Sequence, residues 1–418
     1  MYYSFHKKRV KNTPMNTLRT ALLSLLLLTL TPVTAQKLLD LYKSGTVKLV
    51  ADPTYAQGND WNTVFSTYRD SIRDSHVGAR KSLVLLPDNS VIVNNTYRNF
   101  YTKFDAQGRF VKQFNLTTTK GKVFKKTEPI LGVLDQNMLF CAIDDPGNMY
   151  VVNNNGTWLK TLKFTFMDRQ IIALPQRKLA VVGWTLNDKE TSSLVSLVDY
   201  TTNTQKIIWE RRKARIFPVM PYYLFSIEEP IVASVGDKLM VVDVKAGEML
   251  LYDLNGKRLG QTPINWRGEL ISVEAQQAKL RKTMEAIEKF PIDKPRDNYT
   301  VEELTSFKSQ SLANLQRELD NVRTPIVEPS VATVIKDSDG NLLFFEYPKT
   351  KNGNNFHVWV YANGGEFVCE STFVCDDYDL IINPDRMVFK DGYLYSLQNL
   401  KNATDIPMRL VRFKLTLP

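Results

Sequence analysis

Short runs of alternating apolar and polar positions fill most of the chain, and Gly, Asn and Asp punctuate them. Alternation of period two marks half-buried β-strands, whereas apolar spacings of three and four mark helices. The stretch from Asn99 to Leu116, NFYTKFDAQGRFVKQFNL, shows the basic unit. Two strands flank a D-x-x-G turn, Asp105 to Gly108. Asp at the start of a turn bonds forward to the backbone and Gly accepts positive φ, so the stretch predicts a tight β-hairpin. Related hairpins recur at 150–164 (YVVNNNGTWLKTLKF), 250–261 (LLYDLNGKRLGQ) and 358–373 (VWVYANGGEFVCESTF), each after another strand pair. Repetition of a four-strand unit predicts a β-propeller.

The strand count then fixes an expected architecture. Four-strand units span 82–116, 130–164, 171–210, 231–262 and 331–373. A sixth, 386–415, offers only three strands: RMVFK, GYLYSL and MRLVRFKL. A closed propeller does not leave one blade a strand short, since that would expose an edge. The N-terminal piece 45–52, GTVKLVAD, is therefore expected to supply the outer strand. Residues 53–80 lack alternation and read as a linker with one helical turn.

Residues 271–323 break the repeat. Val273, Leu280, Met284 and Ile287 share one helical stripe. A second helix opens with the capping-box pair Thr300 and Glu303, carries Leu304, Leu315, Leu319 and Val322, and stops before Pro325. This reads as a helical hairpin whose apolar stripe folds as a lid against blades four and five rather than meeting a partner. The fold class is thus all-β, a six-bladed β-propeller with an inserted helical hairpin between blades four and five.

The N-terminus has a different pattern. Lys7, Lys8, Arg9, Lys11 and Arg19 precede the apolar run ALLSLLLLTL at 21–30, and the small residues at 33–35 offer a cleavage site before Gln36. This is the three-part pattern of a secretory signal, too short for a membrane span. Residues 1–35 are expected to be a signal peptide, starting at Met1 or Met15, and 36–418 the propeller. No transmembrane segment then remains, and the protein is expected to be exported, periplasmic or extracellular.

The order of these features resembles the six-bladed β-propeller proteins of Bacteroidetes envelopes, relatives of NHL-repeat and TolB-like propellers. They share a helical excursion before a blade of the form VIKDSDGNLLFFEY and a last blade like VFKDGYLYSLQN. The resemblance spans roughly 82–415. It implies the fold and an exported location, and it transfers no site residue.

Charge and chemistry narrow the function classes. The whole chain carries a net charge of +10, but removing the leader leaves 49 Lys+Arg against 44 Asp+Glu, a net +5. That balance does not point to nucleic acid. Cys369 and Cys375 fall in one extended run, where six residues span roughly 20 Å. A disulfide needs Cα atoms within about 7 Å, so these two are expected not to pair. H-E-x-x-H, G-x-S-x-G, P-loop, G-x-G-x-x-G and C-x-x-C motifs are all missing from the sequence. Only His76 and His357 follow the leader, and a structural or exposed role is expected for both.

Propeller geometry sends the b–c loops and d-to-a connections to one face. Two basic clusters fall on them: Lys120, Lys122, Lys125 and Lys126, then Arg211, Arg212, Lys213 and Arg215 with Tyr222 and Tyr223. The helical hairpin leaves the same face after Trp266. Cations with nearby rings suit an acidic glycan, another polyanion or an envelope protein. The leading expectation is a non-catalytic binding or scaffold protein without cofactor. The alternative is a calcium-dependent hydrolase or lyase at the central channel, with Asn94, Asn153 and Asp243 as axial groups.

Overall fold

A computed structural model describes residues 38–65, 81–95, 100–118, 120–123, 132–134, 136–141, 148–163, 167–186, 190–214, 230–264, 269–295, 299–328, 331–346, 355–382 and 386–418. The expected leader at 1–35 lies outside them. The described chain opens with a short helix α1 (Leu38–Lys43), strand β1 (Thr46–Ala51) and helical turn α2 (Trp61–Val64).

Four antiparallel four-stranded sheets follow in chain order. The first holds β2 (Lys81–Leu85), β3 (Val91–Asn95), β4 (Phe100–Phe104) and β5 (Phe110–Phe114). The second holds β6 (Gly132–Leu134), β7 (Asn137–Cys141), β8 (Asn148–Val152) and β9 (Trp158–Lys163). The third holds β10 (Met167–Leu174), β11 (Lys178–Leu186), β12 (Glu190–Asp199) and β13 (Thr204–Ala214). The fourth holds β14 (Ile231–Val235), β15 (Lys238–Asp243), β16 (Glu248–Tyr252) and β17 (Arg258–Pro263).

A two-stranded ribbon comes next, β18 (Glu269–Ile271) with β19 (Ile326–Glu328), framing helices α3 (Val273–Lys289) and α4 (Val301–Asn321). The last strands are β20 (Val331–Lys336), β21 (Leu342–Glu346), β22 (Asn355–Tyr361), β23 (Phe367–Val374), β24 (Tyr378–Asp379), β25 (Met387–Lys390), β26 (Tyr393–Leu400) and β27 (Met408–Thr416). With β1 they form one nine-stranded sheet. Its seam is β1. Residues Lys48 to Ala51 pair antiparallel with Phe413 to Thr416 of β27, and Thr46 to Lys48 pair parallel with Thr372 to Val374 of β23.

The central strands are apolar on both faces, and that dictates the packing. In β15, Leu239 and Val241 face the third sheet, while Met240 and Val242 face β20–β23. In β21, Leu342 and Phe344 face the fourth sheet, while Leu343 and Phe345 face the opposite neighbour. Successive side chains of a strand point to opposite faces, so each such sheet needs a sheet on either side. Six apolar clusters fill the spaces between consecutive strand groups, the last joining β26 and β27 to β2–β4. The first strands neighbour one another in a closed cycle: β2 beside β6, then β10, β14, β20, β25 and back to β2. The architecture is mostly β and propeller-like.

Part of the expected linker is packed instead. Tyr55, Ala56, Val64 and Phe65 are buried among Val91, Phe104 and Leu397. Residues 53–65 hide their apolar groups in turns and one helical turn, so they lack the alternation that reveals a strand. Asp52 holds Arg412 at 3.1 Å through its Nε, and the guanidinium lies 4.7 Å from the Tyr55 ring centre and 4.6 Å from that of Tyr393. Helix α1 is likewise docked. The Tyr42 hydroxyl donates to the buried carboxylate of Asp337 at 3.0 Å, and burial raises the pKa of both groups.

The helices cap as their sequence predicts: the Ser272 side chain accepts from Ala275 N, and Thr300 with Glu303 completes a capping box. Ile287, Leu304 and Leu315 are buried together, with Leu280, Met284 and Phe307 packed around them. The apolar stripe is thus used between the two helices, in a cluster made of the hairpin's own residues. The expected lid contact with the neighbouring sheets is not what buries it. Two facing amphipathic helices satisfy each other first because they are adjacent in sequence.

The turns repeat one hydrogen-bond pattern. Asp105 Oδ1 accepts from Gln107 N at 3.0 Å and Arg109 N at 2.9 Å. Asn153 does the same with Asn155 and Thr157, and Asp253 with Asn255 and Lys257. The glycine that follows has positive φ: +76° at Gly108, +89° at Gly156 and +72° at Gly256. It also lies under a neighbour. A Cβ on Gly108 would sit 2.7 Å from the Tyr55 ring, and one on Gly156 would sit 2.5 Å from Phe114.

Replacing Gly156 with Ala should cost about 1–3 kcal/mol, from left-handed strain plus the Phe114 clash. Urea titration measures this, and an unchanged midpoint would show that the close approach is not tight. A second outcome concerns acid. Backbone N–H donors, led by Lys257 N, hold Asp253 below the usual carboxylate range. A lowered folded-state pKa gives stability that is present above the unfolded value, about 4, and lost as pH falls through the folded one. The stability difference between wild type and Asp253→Asn should therefore shrink on acidification below that value. A difference constant with pH would exclude this linkage.

Candidate functional site

Antiparallel order gives each four-stranded sheet two unlike ends. At one end, short turns join first to second and third to fourth strands, as at 86–90, 236–237, 105–109 and 253–257. At the other end the second strand meets the third and the sheet hands over to the next. The connections between sheets include 115–131, 215–230 and 264–330. The first kind of end is stitched by the side-chain turns described above, and the connections leave from the second, although 115–123 runs on to the β8–β9 turn.

The sequence-flagged residues divide between these settings. Lys120 and Lys122 sit in a small turn in which Thr118 N donates to Lys122 O at 2.8 Å and Gly121 N to Thr118 O at 2.9 Å. The turn is fastened to the second sheet: Thr117 N donates to Gly156 O at 3.0 Å and Trp158 N to Thr117 O at 2.9 Å. Both lysines are exposed, beside the hairpin end of β8 and β9.

Arg211 lies elsewhere. It is on the outer strand of the third sheet and reaches the loop end of the fourth. Its Nη2 donates to the two oxygens of Asp243 at 2.7 and 2.5 Å, and its guanidinium lies 5.7 Å from the Trp209 ring centre. Asp243 is buried at the end of β15 and also accepts from Ala246 N at 2.9 Å. Alternation along β13 puts Arg212 on the opposite face, where it donates to Glu210 at 3.0 Å and lowers that carboxyl's pKa. Lys213 continues the strand opposite Thr191. Lys120 and Lys122 are therefore not brought together with Arg211 and Arg212. Lys125, Lys126, Arg215, Tyr222, Tyr223 and Trp266 lie outside the described residues.

The three axial candidates do not form one group either. Asn94 is fully buried at the loop end of β3, and Asp243 is engaged by Arg211. Asn153 spends its side-chain oxygen on the β8–β9 turn at the hairpin end. Asn and Asp at strand ends do turn chemistry or ion pairing here, which spacing alone did not separate from metal ligation.

One cluster escaped the sequence reading. His357 on β22 has Nδ1 3.3 Å from Glu346 and Nε2 3.0 Å from Glu370, with Trp359 edge-on at 5.5 Å. The carboxylates lie on opposite sides of the ring, so the three groups share no common point. Among the described residues no set of three or more His, Cys, Asp or Glu side chains is arranged to hold a metal ion. Cys369 and Cys375 are free thiols, separated along and just beyond β23. His76 lies outside the described residues.

No family model matches the chain. No curated protein matches it either. Among solved structures, a member of the DUF4221 family from Bacteroides vulgatus shares 14% identity over 90% of this chain and 99% of its own, with a TM-score of 0.48. A protein of Bacteroides fragilis described as exported shares 9% over 89% and 95%, with a TM-score of 0.45. The calcium-binding protein regucalcin from Agrobacterium tumefaciens shares 10% over 81% and 94%, with a TM-score of 0.36. No helix among the described residues is long and apolar enough to cross a membrane.

The Arg211–Asp243 pair is half-buried, so removing the carboxylate strands a cation. Asp243→Ala should lose about 2–4 kcal/mol, and adding Arg211→Met should restore part of it. Denaturant midpoints of both variants measure this. Equal losses in the single and double variants would show that the stranded Arg211 cation carries no cost.

Proposed function

We propose that the chain is an exported six-bladed β-propeller that acts as a non-catalytic binding or scaffold protein. Its ligand is an acidic glycan, another polyanion or an envelope protein, met at the end of the sheets that carries the long connections. The observation behind this reading is the contrast between the two ends. Short turns locked by Asp and Asn side chains occupy one, while segments such as 215–230 and 264–330 belong to the other. Connections between sheets are where a fold builds recognition surfaces. The closed cycle of six first strands, with β1 completing the last group, supports the blade count.

Recognition is assigned to Arg212, Lys213, Arg215, Lys125 and Lys126 for charge and to Tyr222, Tyr223 and Trp266 for stacking. Arg211 has a structural share, since Asp243 and Trp209 hold its guanidinium. Lys120 and Lys122 contribute from the rim.

A thermal-shift screen of residues 36–418 tests the reading, with heparin-like polyanions, acidic and neutral glycans, calcium and EDTA. A ligand at 100 times its Kd adds about 2.7 kcal/mol, a readable shift. The expected result is a polyanion or glycan shift lost in Lys125→Ala/Lys126→Ala/Arg212→Ala. A calcium shift reversed by EDTA would instead support chemistry at the channel.

A further inference from the structure

Strands β5 and β9 and the turn at 118–122 carry cations and no carboxylates of their own. Strand β5 and the turn after it, residues 110–123, contain Lys112, Lys120 and Lys122 and no Asp or Glu. Strand β9 contains Lys160 and Lys163 and again no acidic residue. The contacts of Lys112 and Lys160 are with neutral groups: Lys112 donates to Asn155 Oδ1 at 3.1 Å, and Lys160 lies 5.5 Å from the Tyr200 ring centre.

The same rim exposes aliphatic side chains. Thr117 bridges antiparallel to Val123 and parallel to Thr157. Bridge partners point to the same side of a sheet, and so do residues two apart on a strand. Val123, Thr117 and Thr157 therefore share one face, and Leu159 is the extra residue of a β-bulge between Trp158 and Lys160 on the adjoining strand. Val123 is 50% exposed and Leu159 49%, with Val111 at 49% on the neighbouring β5. Gly156, locked under Phe114, keeps this three-stranded shelf fixed to both sheets.

We propose that this shelf docks the protein on an anionic lipid bilayer, with Val123 and Leu159 touching the acyl boundary and the lysines neutralising headgroups. The chemistry favours a bilayer over a sugar. Aliphatic side chains give no plane for a pyranose ring, and Trp158 holds its indole N–H on Thr161 Oγ1 at 3.2 Å rather than turning it to solvent. Lysine suits the interface because its alkyl stem lies along apolar surface while the ammonium reaches the phosphates. The lysine attraction is electrostatic and reaches about one Debye length, so it weakens in salt. The proposal rests in part on the reading above, since both use Lys120 and Lys122, but its partner is lipid and its shelf lies at the hairpin end.

The test is sedimentation of residues 36–418 with vesicles of phosphatidylcholine alone and of phosphatidylcholine mixed with phosphatidylglycerol. Binding to the mixed vesicles only, weakened by salt, is expected. Each lysine removed should lower the partition coefficient about fivefold, so Lys120→Gln/Lys122→Gln should lower it about 25-fold. Val123→Ser/Leu159→Ser should weaken it with all charges kept, and circular dichroism melts confirm that both variants fold. Equal binding to both vesicle types, no vesicle binding, or vesicle binding unchanged in either variant overturns the proposal. A heparin shift lost in Lys120→Gln/Lys122→Gln without vesicle binding assigns the shelf to a soluble polyanion instead. Vesicle binding with silence in the glycan screen leaves this proposal standing while the glycan reading fails.

Discussion

Two-sided burial of the sheets is the constraint on which the molecule depends. Strands such as VIVNN, KLMVVD and LLFFE are apolar at successive positions, so each sheet covers one neighbour with its odd residues and the other with its even ones. A linear stack would leave two apolar faces in water. A cycle leaves none, and the contact of β25 with β2 closes it. Closure also needs the last group completed at its outer edge, which β1 does against β27. Val47 and Leu49 of that strand are buried, each worth about 1.5–3 kcal/mol on transfer from water. The two ends of the described chain are therefore held together by the same force that packs the middle.

The hairpin turns convert this stack into a fixed geometry. An Asp or Asn oxygen satisfies two backbone donors, and the glycine lets the chain reverse without a Cβ between it and the adjoining sheet. Phe114 over Gly156 and Ile208 over Gly256 show the same arrangement where the first sheet meets the second and the third meets the fourth. Local turn chemistry and inter-sheet packing thus share one residue. A substitution there strains the backbone and separates two sheets together.

Charge is distributed by the same logic. Where a cation falls between sheets it is given a carboxylate or a ring, as Arg211 is by Asp243 and Trp209, and Arg412 by Asp52, Tyr55 and Tyr393. Where it falls in an exposed turn it keeps its charge for solvent or a partner, as Lys120 and Lys122 do. Burial, more than sequence clustering, separates structural arginines from candidates for recognition.

Strands, turns and helix caps were legible in the sequence because each depends on neighbours within a few residues. The D-x-x-G hairpins, the capping box at Thr300 and the four-strand rhythm are of this kind. The parallel seam of β1 with β23, the docking of Tyr55 and Phe65, and the His357 pairs with Glu346 and Glu370 depend on residues distant in sequence, so no local pattern announces them. The two basic clusters looked alike as sequence, RRK beside KGK. Only the tertiary structure turned Arg211 inward onto Asp243 and laid Lys120 and Lys122 on the rim, because strand alternation and the register of neighbouring sheets decide which way each side chain points.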